Sequence, residues 1–135
     1  MQVFAGLFVL LAALWLMGFA IWCLLRPLSA SRFLEGFATT ARAHYTEQVL
    51  RVLAGIALVL HAPYMRSPFF IYGFGWVLVA TSTLLILLPW RWHQRFAQWA
   101  IPLAVRNLRS YALSSFALGA LLAWALLTPL YVSSQ

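Results

Sequence analysis

Uncharged apolar runs alternate along this chain with connectors that carry arginine. Residues 3–25, 69–90 and 110–132 contain no charged side chain. Each is long enough to cross a bilayer as a helix, which takes about 20 apolar residues. A fourth segment, 47–62, is apolar without a break over 52–60 but carries Glu47 and Arg51 at one end and His61 at the other. The pattern predicts an all-α integral membrane bundle of four transmembrane helices in two hairpins. Chain-breaking prolines fall at the expected ends, with Pro27 after the first span, Pro63 and Pro68 around a short turn, and Pro89 and Pro129 closing the third and fourth.

Charge decides whether the fourth segment spans. If it does, Arg26, Arg32 and Arg42 in the first connector, with Arg51 just inside the next helix, share one side with Arg91, Arg95, Arg106 and Arg109 in the second. Only Arg66 is left opposite. Cytoplasmic connectors carry such an excess, and without the fourth span the bias disappears. The expectation is therefore a multi-pass protein of a bacterial inner (plasma) membrane, with both termini on the non-cytoplasmic side. The first span has no basic residues before it and is longer than a signal-peptide core, so it is expected to stay as an anchor.

The connectors have patterns of their own. Phe33, Phe37, Ala41 and Tyr45 recur every four residues in the first, one apolar stripe of a helix lying at the membrane surface. The second holds Trp90, Trp92, Phe96 and Trp99 among Arg91, His93 and Arg95, with Pro102 as a break. Tryptophan favours that depth because its ring is apolar and its N–H is wet. Two interfacial connector helices are expected, their arginines (Arg26, Arg32, Arg42, Arg91, Arg95, Arg106, Arg109) and tryptophans (Trp90, Trp92, Trp99) meeting anionic lipid headgroups.

The halves also match in layout. Leu24-Leu25 and Leu87-Leu88 lie 63 residues apart, as do Arg32-Phe33 and Arg95-Phe96; Arg42 and Arg106, and Gly55 and Gly119, lie 64 apart. Each half reads as span, basic connector, span. One domain over 1–135 is expected, with a parallel internal repeat of 1–65 and 69–132 about an axis along the membrane normal.

Composition narrows the class. The chain is 64% hydrophobic and 8% charged, too little polar surface for a soluble enzyme, a disordered chain or a disulfide scaffold. All nine basic residues are arginine, against Glu35 and Glu47, giving a net charge of +7. Arginines placed between spans point to topology rather than nucleic acid. The lone Cys23 makes no internal disulfide.

Few residues suggest chemistry. His44, His61 and His93 are the candidate cofactor ligands, but a metal site needs three or four converging donors, so no metal or other cofactor is expected. Glu47 and Arg51 stand four apart in the order that pairs best on a helix, an ion pair one turn inside the membrane. Ser115, Gly119 and Ala123 form a small-residue row, and Gly55, Gly73 and Gly75 are further points where helix backbones can approach. Trp15, Trp22, Trp76 and Trp124 lie within spans, where they can pack on partner helices, pigments or lipid tails. No phosphate loop, nucleophile set or zinc motif is present, and no catalytic residue is assigned. The chain is similar to small multidrug transporters in length and span count. Those carry an acidic residue in the first span, which is absent here, so proton-coupled antiport is not expected.

Leu24-Leu25-Arg26-Pro27, then Arg51-Val52-Leu53-Ala54-Gly55, then Leu88-Pro89-Trp90-Arg91-Trp92 resemble small uncharacterised four-span bacterial inner-membrane proteins. The resemblance covers most of the chain and implies no activity. The function expected is a non-catalytic accessory or scaffolding subunit of a larger membrane protein complex, its partners other membrane subunits and anionic lipids. The alternatives are a small homodimeric lipid- or solute-handling carrier with an arginine-rich cytoplasmic face, and a haem- or metal-bearing electron-transfer subunit.

Overall fold

A computed structural model describes residues 1–37 and 40–128, without the side chains of Phe37 and His93. Six α-helices make up the described chain, and no strand occurs among those residues: α1 (Gln2–Leu25), α2 (Pro27–Phe37), α3 (Ala41–His61), α4 (Pro68–Leu87), α5 (Trp90–Arg106) and α6 (Leu108–Leu127), with a single 3-10 turn, Ala62–Tyr64, after α3. Three of them, α1, α4 and α6, are long and apolar enough to cross a membrane. α3 is of similar length but carries Arg42, Glu47 and Arg51 in its first half. The expected end of the last span, with Pro129 and Val132, lies outside the described residues.

Glycine sets the helix pairing. A Cβ on Gly55 of α3 would stand 2.8 Å from the Gly75 carbonyl oxygen of α4, and one on Gly119 of α6 would stand 2.7 Å from the Ala13 carbonyl oxygen of α1. Backbones this close exclude any side chain between them, and in lipid such packing holds helices together. The most extensive interfaces accordingly join α1 to α6 and α3 to α4; a lesser one joins α1 to α3, and α4 and α6 share none of comparable extent. The bundle is therefore an open arc in the order α4, α3, α1, α6. Sequence order pairs the first span with the second and the third with the fourth. The structure instead interleaves the halves, because its closest glycine contacts lie across them.

Neighbours in the arc run antiparallel. His44 near the start of α3 meets Leu85 near the end of α4, and His61 at the end of α3 meets Gly6 at the start of α1. α3 thus runs along the length of α4 and meets α1 at the His61 end. Seven connector-end arginines and Arg51 gather at one end of the arc, here the basic end, and Arg66 stands at the other; all nine are exposed.

The core divides along the bundle. At the Arg66 end, Val9, Ala13, Leu58, Met65, Ile71 and Leu122 join α1, α3, α4 and α6 in one cluster. Toward the basic end a second cluster, with Phe19, Ala20, Cys23, Ala30, Leu108 and Ala112, holds α1, α2 and α6 only. α3 and α4 continue there as a separate pair.

The connectors are helical, as expected, but their helices begin and end elsewhere than the sequence pattern suggests. The stripe through Phe33, Phe37, Ala41 and Tyr45 is not one helix. Thr40 is extended and its hydroxyl accepts from the Ala43 N–H, an N-cap that starts α3 afresh. α2 folds back against α1, its Phe33 ring 5.3 Å from Trp22 and 5.8 Å from Phe19. α5 runs through Pro102 rather than ending there. Proline removes the bond to the Gln98 carbonyl and its ring crowds that oxygen; both residues lie on the exposed side, where that carbonyl can tilt outward. At 17 residues, α5 is about 25 Å long, enough to reach across the arc from α4 to α6 at interhelical spacings of about 8–10 Å.

Candidate functional site

The basic end is where the fold brings polar chemistry together. α5 lies across it with slight contact to α2 and α6. Trp92, Phe96, Trp99 and Leu103 share one face of α5 and are exposed, as are Arg91, Arg95 and Arg106. A 17-residue helix with an aromatic face and arginine flanks, little held by the bundle, is built for an apolar–aqueous boundary. Trp90, at its first turn, is half-buried beside His44, ring centroids 5.4 Å apart.

Where α5 breaks at Asn107 and α6 begins, a groove of about 530 Å³ opens toward the junction of α1 and α2. Arg106, Arg109, Ser31 and Ser110 line it, with Leu24, Leu28 and Val105 as apolar wall. Arg106 also lines a smaller groove, of about 250 Å³, along Trp99, Pro102 and Leu103 of α5. The sequence marks both arginines. It does not show the groove, which needs residues from 23–31 and 105–110 side by side.

A second polar feature lies inside the α3–α4 pair. His44, Gln48 and Ser82 are buried, and His44 Nε2 stands 3.4 Å from the Leu85 carbonyl oxygen. The register set by Gly55 on Gly75 and His44 on Leu85 brings Gln48 to the level of Ser82. Gln48 Oε1 and Ser82 Oγ are both buried with no hydrogen-bond partner among the described residues. Sequence reading missed Gln48 and Ser82, although His44 and Gln48 at i and i+4 already place two polar groups on one helix face. Two other span hydroxyls answer to their own helix: Thr81 Oγ1 donates to Val77 O at 2.7 Å and Ser114 Oγ to Ser110 O at 2.9 Å.

The remaining candidates are placed as follows. Arg51 and Glu47 form an ion pair of 2.6 Å, half exposed and a quarter exposed respectively, within electrostatic reach of Tyr111 on α6. His61 wedges between α1 and α3; a Cβ on Gly6 would meet its ring at 2.8 Å. His44 and His61 are 17 residues apart on one helix, about 25 Å, and do not share a site; the His93 side chain lies outside the described residues. Among the described residues no three His, Cys, Asp or Glu side chains converge as a metal site would require. Gly119 sits against Ala13, Met17 and Leu16 of α1, Ala123 packs on the shared core, and Ser115 is half-buried.

At the opposite end Arg66 ties the turn to α6. Its backbone N–H donates to the Ala125 carbonyl at 2.9 Å, and its guanidinium lies 4.9 Å from the Trp124 ring centroid. The sequence offered no signal for that contact.

Comparison with protein-family models, with curated protein sequences and with solved structures finds no match to this chain.

Proposed function

We propose that the chain is a four-span accessory subunit of a larger assembly in a bacterial inner membrane, with its basic end on the cytoplasmic side. Placement of α3 supports the fourth span. It runs beside α4 from His44 at one end through Gly55 toward the other, so a bilayer crossed by α4 would be crossed by α3 as well. Its outward face, with Val49, Leu50, Leu53, Ile56 and Leu60 exposed, suits lipid or a partner helix. Eight arginines at one end against one at the other give the orientation.

One observation carries the accessory role: two tryptophans near the middle of spans are more than half exposed, Trp15 with Phe19 and Phe33 against part of its ring. Trp15 of α1 is 61% exposed and Trp76 of α4 is 51% exposed. Tryptophan belongs at the membrane boundary, where its N–H is wet. At mid-span a lipid-facing indole N–H has no acceptor, whereas a partner helix supplies one together with a large packing surface. The open arc leaves such surfaces on both flanks.

Native electrophoresis of mildly solubilised membranes tests this. The 15.2 kDa chain is expected in a band several times the mass of a dimer, and Trp15→Leu with Trp76→Leu is expected to release it. Migration of the unaltered chain only as a monomer or small homo-oligomer overturns the proposal.

A further inference from the structure

We infer that the groove between the α1–α2 junction and the start of α6 is a binding site for one anionic phospholipid, its phosphate held by Arg106 and Arg109. The site lies at the level where α1 ends and its surroundings change from apolar to basic. Both arginines line it and no carboxylate does. Glu35 and Glu47, the chain's acidic side chains, are elsewhere, and Glu47 is already paired with Arg51. Ser31 of α2 and Ser110 of α6 also line the groove.

The same groove accounts for the tail. Leu24 and Leu28 form its wall and are 51% and 76% exposed, continuous with the apolar outer surface of α1. A ligand with a charged head and an apolar body satisfies both parts at once. A free phosphate leaves the leucine wall bare, and a neutral lipid leaves two guanidinium groups without a counter-charge. The volume, about 530 Å³, takes a glycerophosphate head and the first part of its chains, within the range of ordinary small-ligand pockets. The first turn of α6 opens onto the groove and adds N–H groups that lack an earlier helix carbonyl. Arginine is suited to the task because its planar fork matches phosphate oxygens two at a time. The inference is independent of the accessory role, since a chain that migrates alone on a native gel still presents the groove.

Native mass spectrometry of the full chain released from vesicles of mixed phosphatidylglycerol and phosphatidylcholine reads the site directly. One phosphatidylglycerol retained per chain, in preference to phosphatidylcholine, is expected. Arg106→Gln with Arg109→Gln is expected to weaken retention about 25-fold, from about fivefold per arginine. Arg106→Lys with Arg109→Lys is expected to keep most of it. Arg91→Gln with Arg95→Gln removes the same charge from the exposed part of α5 and is expected to leave retention unchanged. Equal loss in the two glutamine pairs would show a diffuse basic surface instead of a site. Equal retention of phosphatidylcholine, or displacement of the lipid by millimolar glycerol phosphate, would equally overturn the assignment. All four positions are exposed, and circular dichroism checks that each variant remains folded.

Discussion

Gly55, Gly75 and Gly119 show what single residues decide in this molecule. At each, the space for a side chain is taken by a neighbouring helix backbone, with contacts of 2.7–2.9 Å to a Cβ. A carbonyl oxygen in a helix cannot swing aside as a side chain can, so a larger residue separates the helices. Gly55→Leu and Gly119→Leu are each expected to cost about 1–3 kcal/mol, the range for overpacking a filled interface, and to lower the detergent unfolding midpoint. Gly18 has nothing within 4 Å of a Cβ, and Gly18→Leu is expected to stay within about 0.5 kcal/mol. A matched loss at all three positions would show that close approach does not govern them, since helix propensity by itself favours leucine over glycine. Gly6 differs in kind, because its neighbour is the His61 ring, which can rotate away.

The helices show how far local pattern reaches. α1, α4 and α6 are legible from apolar length alone; α3, with Arg42, Glu47 and Arg51 in its first half, is read as a span only through the charge asymmetry that a crossing would create. The break between α2 and α3 is hidden because a four-residue apolar stripe passes through it; only the Thr40 cap reveals where one helix stops constraining the next. Pro102 misleads in the opposite sense, since α5 continues through it with the proline and the crowded Gln98 carbonyl both on the exposed face. Pairing within the arc is not local information at all. Gly55 and Gly75, or Gly119 and Ala13, find each other only once the helices are assembled. The arginines of the candidate site are likewise legible, while the groove that joins Arg106 to Leu24 is not. α5 gives the test at this scale. With its aromatic face at the membrane boundary, Trp92 and Trp99 are expected to be quenched more by lipids brominated near the headgroup than by lipids brominated at the chain ends, read in variants with the other tryptophans replaced by phenylalanine. Equal quenching at both depths, or none, would remove α5 from that boundary.

The whole molecule is an arc of antiparallel helices, shared in one core at the Arg66 end and divided into two groups at the basic end. Such a shape keeps its lateral surfaces available and concentrates cationic groups at one end. Everything proposed for it depends on α3 crossing the bilayer with its neighbours. Single cysteines read this most directly. In a Cys23→Ser background, Ser31→Cys, Ser67→Cys and Gln98→Cys are labelled with a membrane-impermeant maleimide, before and after permeabilisation of cells. Four crossings predict that position 67 is labelled from outside, while positions 31 and 98 react only after permeabilisation. Three crossings would put 31 and 67 on one side and 98 on the other, and that result would contradict the account.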